Sequence, residues 1–265
     1  MMRQAAERRQ VLRWLLAGAA TLPLISCGGG NAAGGMAAGS TGTVTLPSTG
    51  ACTVIPEETG GPYPADGTNT YGGSIINVLN QSGVVRSDIR ASFNGATGAA
   101  AGVPLTIQLQ LLNASGSCAS LAGYAVYLWH CDREGLYSLY SSGVTAQNYL
   151  RGVQETDSAG KLAFTTIFPG CYAGRMPHVH LEVYPSLAKA ASAANRIKTS
   201  QFTFPMATLN EAYAASGYTA SVRNLAQISY ATDNVFSDGT SLQMAAVTGN
   251  ATDGYVVTLT IAVNG

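Results

Sequence analysis

The sequence predicts an all-β domain, a β-sandwich with short helices and long loops. Apolar and polar residues alternate over 105–111 and 257–263, the period-two pattern of a strand with one buried face. Residues 124–131 are apolar on both faces, which is typical of a central strand. Glycine-rich turns separate these segments along the chain, and many short strands joined by turns favour a sandwich.

The remaining elements follow in chain order. Residues 161–168 alternate as a further strand, which ends at Pro169 and Gly170 because these residues interrupt a strand. Helical signals are weak, and they predict only short helices at about 186–196 and 209–216.

Residues 1–27 have the features of an export signal. A basic flank with paired arginines at 8 and 9 precedes an apolar run, residues 14–25, that is too short for a comfortable membrane span. The paired arginines resemble a twin-arginine signal, and Leu-Ile-Ser-Cys at 24–27 resembles a bacterial lipobox. We expect a lipid on Cys27, membrane contact only through this anchor, and a location on the periplasmic or cell-surface side of the envelope. For the apolar run at residues 14–25, an ordinary buried helix is the alternative to a signal.

A flexible linker is predicted over residues 28–50. This tract is dominated by Gly, Ala, Ser and Thr, and it has too little apolar surface to offset the entropy of ordering. Residues 51–265 are long enough for one domain with a large core.

Charge and cysteine content restrict the partners and the compartment. The whole chain is neutral, and the domain without its signal carries about −3 with no basic stripe, so we expect no nucleic-acid partner. Cys52, Cys118, Cys131 and Cys171 form an even set, as expected for disulfides in an exported protein. Three pairings are possible, and a four-cysteine zinc site is a weaker alternative because no CxxC spacing occurs.

Two of the three histidines, His178 and His180, are one residue apart. In a strand their imidazoles point to one face, whereas Val179 and the apolar residues after it point to the other. Two neutral imidazoles at this spacing can ligate one metal ion. A half-exposed strand with two solvated histidines is the alternative, but Tyr172 and Arg175 just upstream favour a metal site.

Four segments together resemble the intradiol ring-cleavage dioxygenases. Residues 129–138 are similar to the W-x-x-D-x-x-G-x-Y-S segment of that family, and residues 150–170 to its R-G-x-x-x-T-D run ending in Pro-Gly. Residues 177–180 match its H-x-H motif. Residues 56–63 resemble its P-E-x-T-E-G-P-Y segment, with Gly60 where glutamate is usual.

The resemblance implies a β-sandwich that binds one non-haem Fe(III) per chain. Carried over to this sequence, the metal ligands are Tyr137, Tyr172, His178 and His180. The chemistry of tyrosine is compatible with this ligand set, because a trivalent cation can keep a phenol deprotonated at a pH far below its solution pKa of about 10.

The resemblance also implies a reaction. A catechol-type diol and O2 are the substrates, and the ring opens between the two hydroxyls to a muconate-type diacid. Tyr172 is the ligand that yields to substrate and takes up a proton. Arg175 is expected to stabilise negative charge on the ring, and Gln201 resembles a family glutamine near the iron, across an apparent insertion at 188–195.

Three alternatives remain at this point. The domain can be a non-catalytic binding module for aromatics or glycans, or its metal can be zinc or copper, which the tyrosines disfavour. Extradiol cleavage is the third, with divalent iron held by the two histidines and Glu182, which shares their strand face.

Several other polar or aromatic residues are interpreted as structural. We expect His130 in the core and Arg151 and Asp157 at turns. For Tyr63 the sequence leaves two alternatives open, a position at the mouth of the pocket and a position away from it.

Overall fold

The structure, a computed structural model, describes residues 52–265. The predicted signal, linker and anchor residue Cys27 lie outside the described residues. The described part contains these strands and α-helices: β1 Asp66–Tyr71, β2 Ser74–Asn77, β3 Pro104–Asn113, β4 Ala119–Ser120, β5 Ala125–Trp129, β6 Arg151–Glu155, β7 Lys161–Ile167, β8 Val179–Tyr184, β9 Lys198–Phe202, α1 Met206–Tyr213, α2 Thr219–Leu225, β10 Ala246–Asn250 and β11 Gly254–Val263.

The predicted all-β sandwich is confirmed. One sheet runs β10-β11-β3, and both β7 and β4 pair with the far edge of β3. The other sheet runs β6-β5-β8-β9 with every pair antiparallel, and β1 and β2 form a separate hairpin. Only β3 and β11 are parallel among the strand pairs of the described domain.

The core between the two sheets is formed by the alternating residues that the sequence pattern identified. Leu105, Ile107, Leu109 and Leu111 of β3 are buried there, with exposed fractions of 2% or less. From the facing sheet, β8 contributes its odd-numbered residues, Val179, Leu181 and Val183. Because side chains alternate along a strand, the even-numbered residues of β8 point away from this core.

The outer face of the four-stranded sheet is also buried. All five residues of β5 are buried, as the doubly apolar pattern predicts. Tyr127 and Trp129 of β5 pack there with Tyr184 and with Tyr137 and Tyr140 from the loop after β5. This second apolar layer covers the even-numbered face of β8 and removes His180 from solvent, and His178, one position before the strand, is buried as well.

The helical segments differ partly from prediction. Residues 186–196 form two short 3-10 helices, Lys189–Ala191 and Ala193–Asn195, rather than one helix. Ser192 lies between them in an extended conformation, with φ −148°, and its side chain accepts a hydrogen bond from the Ala194 amide. The helix expected at 209–216 begins and ends three residues earlier, as α1 Met206–Tyr213, and α2 was not predicted.

One disulfide is present in the described domain. Cys52 is bonded to Cys118, with a Cα–Cα distance of 5.6 Å, and Cys131 and Cys171 are buried free cysteines. Each of the three pairings that the sequence allowed has two disulfides; the structure has one bond of the pairing Cys52–Cys118 with Cys131–Cys171, so the expectation that all four cysteines are bonded is wrong for the second pair. Within residues 52–265, no helix has the length and apolarity needed to cross a bilayer.

Candidate active site

Two imidazoles and two phenols meet at the start of β8. His178 Nε2 lies 3.0 Å from His180 Nε2, 3.4 Å from the Tyr172 hydroxyl and 3.5 Å from the Tyr137 hydroxyl. Both histidines are 2% exposed, Tyr137 is 1% exposed and Tyr172 is half-buried. The structure therefore brings together the four residues that the sequence predicts as metal ligands.

Two tight turns bring the tyrosines to the histidines. In the turn before Tyr137, Asp132 Oδ1 accepts hydrogen bonds from the amides of Glu134 and Leu136. Gly135 in this turn has φ +86°, and a Cβ there would lie 3.1–3.2 Å from Cβ and Cα of Tyr172. Any other residue would be strained and would push the two turns apart, so Gly135 fixes the spacing between the tyrosines.

The histidines are held by the register of the four-stranded sheet. His180 lies opposite Trp129 of β5 on one side and Gln201 of β9 on the other. The Trp129 and His180 rings are parallel within 3°, and their centroids are 4.7 Å apart. This stacking restricts the orientation of the His180 ring.

The protonation of the histidines suits metal binding. His178 Nδ1 lies 2.6 Å from the Met176 carbonyl, an acceptor, so the assigned tautomer has its proton on Nδ1 and a lone pair on Nε2. Burial lowers the pKa of His178 to about 3, and burial with the neighbouring His178 lowers that of His180 well below its usual value. Both rings are neutral at physiological pH.

The tyrosines need a cation to ionise. Burial raises the pKa of Tyr137 well above its usual value. Burial also raises the pKa of Tyr172, to about 12, although the positive charge of Arg175 acts to lower it. A bound trivalent ion reverses this preference, because its charge stabilises the phenolate.

The donor geometry fits one small ion. Ligands at roughly 2.0–2.1 Å from a shared tetrahedral centre lie about 3.3 Å apart. The other three donor atoms of the cluster lie 3.0–3.5 Å from His178 Nε2. Within residues 52–265, no three His, Cys, Asp or Glu side chains form a metal cluster, so an ion here depends on the tyrosines. The residues present fit the ferric ion that the resemblance implies.

Glu182 is engaged elsewhere. Its carboxylate accepts a hydrogen bond from the Tyr184 hydroxyl at 2.5 Å and lies 3.4 Å from the Arg196 guanidinium. It therefore does not complete a two-histidine, one-carboxylate site with His178 and His180.

Arg175 and Gln201 lie beside this cluster, as the sequence predicts, and contact each other. An Arg175 guanidinium N–H donates to Gln201 Oε1 at 2.7 Å, and Gln201 Nε2 donates to the Thr59 carbonyl at 2.7 Å. Arg175 Nε also donates to Asp233 Oδ2 at 2.9 Å. Sequence reasoning missed Asp233, which lies in a loop without a recognisable motif.

The residues interpreted as structural have structural environments. His130 is buried with Nδ1 2.7 Å from the Cys131 carbonyl and Nε2 2.7 Å from the Thr166 hydroxyl. Asp157 Oδ1 accepts hydrogen bonds from the amides of Ala159 and Lys161 in a turn, as expected. Arg151 is buried rather than placed at a turn, and it donates to the carbonyls of Pro64 and Ser138.

The ring of Tyr63 lies against the site. It is half-buried, and its centroid is 4.8 Å from that of Tyr137. A separate groove of about 750 Å³ lies on the outer face of the five-stranded sheet, lined by residues such as Gln108, Lys161 and Thr258. None of the four clustered residues lines that groove.

A comparison with protein families finds one match, which lies within the domain that carries the cluster. Residues 83–198 match the model of the family Dioxygenase_C, described as dioxygenase. The matched segment contains the four clustered residues and Arg175, and Gln201 lies just beyond its end. None of the curated proteins compared with the chain matches it.

Solved structures extend the similarity to most of the domain. The intradiol ring-cleavage dioxygenase from Tetranychus urticae is 23% identical, with a TM-score of 0.60 over 80% of this chain and 95% of that one. A second solved dioxygenase is 23% identical, with a TM-score of 0.59 and the same coverage. At this identity the two structures show a shared fold. Together with the family match, they confirm the resemblance to the intradiol ring-cleavage dioxygenases.

Proposed function

We propose that this protein is a non-haem Fe(III) dioxygenase that opens a catechol-type ring between its two hydroxyls, giving a muconate-type diacid. The observation that carries the proposal is the convergence of two phenols on two neutral imidazoles, with every partner atom within 3.5 Å of His178 Nε2. The family match supports the dioxygenase class. Iron, the substrate and the product are our inference from the donor set and the resemblance.

Tyr137, Tyr172, His178 and His180 are the residues that would hold the ion. Bound ferric iron supplies electron withdrawal from a coordinated catecholate, which makes a ring carbon reactive toward O2. The chain supplies a site from which water is largely excluded, because three of the four ligand residues are at most 2% exposed. In such surroundings fixed charges act more strongly than in water.

Tyr172 is suited to hold the substrate proton. It is half-buried, whereas Tyr137 is buried, so Tyr172 is the phenol that an arriving diol can reach. The pKa of its hydroxyl is raised to about 12 by burial, so the phenolate is a strong base toward a catechol hydroxyl.

Arg175 is suited to stabilise negative charge on the bound diol. Its guanidinium is fixed by Asp233 on one side and Gln201 on the other, at 2.9 Å and 2.7 Å. A charge that is already oriented does not need to reorganise as the reaction proceeds.

We also propose that the protein acts outside the cytoplasm, anchored by lipid at Cys27. The signal-like residues 1–27 motivate this location. The Cys52–Cys118 disulfide supports it, since disulfides persist in oxidising compartments.

Product analysis tests the function. Purified protein incubated with catechol in air should form a colourless, ultraviolet-absorbing muconate, whereas the His180→Ala variant should form none. A yellow ring-opened semialdehyde would indicate extradiol cleavage and contradict the proposal. Full iron loading without turnover of any catechol would favour the binding module instead.

A further inference from the structure

Arg151 is a buried cation without an acidic partner. Its exposed fraction is 1%, and it makes no ion pair with any carboxylate of residues 52–265. Burial of a charge costs free energy, and apolar side chains of similar volume often stabilise a core more. Fold stability alone therefore does not explain a guanidinium here, and the groups that it binds indicate its role.

Two of its nitrogens bind the residue that follows Tyr137. Arg151 Nε donates to the Ser138 hydroxyl and Nη2 donates to the Ser138 carbonyl, both at 3.1 Å. The Ser138 hydroxyl in turn donates to the Tyr149 carbonyl at 2.7 Å. Because the guanidinium is a rigid planar fork, these two bonds fix both the place and the orientation of the chain directly after Tyr137.

The third nitrogen binds the segment that carries Tyr63. Arg151 Nη1 donates at 3.1 Å to the Pro64 carbonyl and at 3.1 Å to the Tyr127 hydroxyl, which itself donates to the Pro64 carbonyl at 2.7 Å. The rings of Tyr63 and Tyr137 are in contact, with centroids 4.8 Å apart. One guanidinium thus joins the chain next to Tyr63 to the chain next to Tyr137.

Two leucines beside these contacts have strained backbones. Leu139, next to Ser138, has φ +73°, and Leu150, next to Arg151, has φ +58°. The left-handed conformation is costly for leucine because it crowds Cβ against the backbone, so it persists only where the surrounding structure enforces it. Strain of this kind clusters at functional sites. The bonds between Arg151 and Ser138 connect the two strained segments.

The sheet register places Arg151 on the face that carries the site. Arg151 of β6 lies opposite Trp129 of β5, and Trp129 lies opposite His180 of β8. Residues directly opposite each other on neighbouring strands point to the same face. The three side chains therefore share the outer face of this sheet, where Tyr137 packs as well.

We propose that Arg151 is a positioning residue, which holds Tyr137 against Tyr63 and thereby sets the place of the Tyr137 hydroxyl, 3.5 Å from His178 Nε2. Its hydrogen bonds go to Ser138, Pro64 and Tyr127 and not to the four clustered residues, so it acts through the chain at Ser138. Its effect on iron binding rests on the proposed function, whereas its effect on the two tyrosine rings does not.

The ring contact tests the proposal in the full metal-free chain. Arg151→Lys keeps the charge but lacks the fork that binds both polar groups of Ser138. Nuclear magnetic resonance should detect cross-relaxation between the ring protons of Tyr63 and Tyr137 in the wild type, and this signal should be lost in Arg151→Lys. An unchanged signal in the variant would overturn the proposal.

Arg86→Lys is the matched control. Arg86 also donates only to backbone carbonyls, including that of Arg151, but it binds no segment next to a clustered tyrosine. It should keep the ring signal, and an equal loss in both variants would show a general loosening of β6 and contradict the proposal. If Arg151→Lys does not fold, Ser138→Ala decides, since it removes the hydroxyl between Arg151 and Tyr149. It should weaken the signal, and a wild-type signal there would overturn the proposal.

Ferric-ion affinity, measured by competition with EDTA, tests the effect on the cluster. Arg151→Lys should bind iron about tenfold less tightly than the wild type, the lower end of the usual effect of an outer partner. Its tyrosinate-to-iron absorption band should shift, whereas Arg86→Lys should keep both the affinity and the band. Wild-type affinity and spectrum in Arg151→Lys would overturn its role at the cluster. If the wild type binds no iron, the proposed function fails, and the ring contact still decides the role of Arg151.

Discussion

Arg175 is paired with the carboxylate of Asp233, whose side chain is completely buried, at an Nε–Oδ2 distance of 2.9 Å. The same Oδ2 accepts the Met176 amide at 2.7 Å, and the Met176 carbonyl accepts the Nδ1–H of His178 at 2.6 Å. One buried carboxylate thus orders both the charged residue beside the site and the segment that leads into the histidine pair.

Arg175→Ala should keep the iron and lower turnover about a hundredfold, which is the scale of losing one oriented charge stabiliser. The guanidinium contacts Asp233 and Gln201 and is not one of the four metal donors, so iron content and colour should not change. Steady-state kinetics with metal analysis check this, and wild-type turnover would reduce Arg175 to a structural residue.

Asp233→Asn should lower turnover at least about tenfold, because its NH2 group replaces Oδ2 and cannot accept the hydrogen bonds of Arg175 Nε–H and the Met176 amide. Asparagine keeps an acceptor for the amides of Val235 and Phe236, which Asp233 Oδ1 now accepts, so the loop should stay folded. The double variant with Arg175→Ala should be no slower than Arg175→Ala alone. Fully additive losses would show that Asp233 does not act through Arg175.

Tyr172→Phe should retain iron with an altered colour and turn over 10²- to 10⁴-fold more slowly, about the contribution of a positioned proton acceptor. Tyr124→Phe is a matched control, because Tyr124 packs against the core between the sheets and not at the cluster. Visible spectra and single-turnover rates separate the two effects. Unchanged turnover in Tyr172→Phe would remove the proposed proton acceptor.

Glu182→Gln should leave iron content and the reaction product unchanged. The carboxylate bonds to Tyr184 and Arg196, so its loss affects these two partners and not the four donor atoms. Iron analysis of the variant checks this. A variant without iron would restore the two-histidine, one-carboxylate alternative.

The site residues that the sequence predicts are those that follow from local patterns. The same-face placement of His178 and His180 follows from strand geometry, and Val179 between them lies in the opposite core as the period-two rule requires. Tyr137 was identified through motif resemblance, and Gly135 explains why its turn can approach Tyr172.

The features that sequence reasoning missed depend on long-range contacts. Asp233 is 58 residues from Arg175 in sequence, and Cys52 is 66 residues from Cys118. No spacing rule predicts such contacts, because they follow from the packing of loops onto the finished sandwich. The short helix α2 has only seven residues, too few for a clear helical period.

Metal analysis combined with the visible spectrum tests the central claim, that Tyr137, Tyr172, His178 and His180 hold one ferric ion. The purified wild-type protein should contain about one iron per chain and be wine-red from tyrosinate-to-iron charge transfer. His180→Ala should lose both the iron and the colour while its far-ultraviolet circular dichroism stays that of the folded β-sandwich. Stoichiometric zinc with no visible band, or full iron content in the folded His180→Ala variant, would contradict the account.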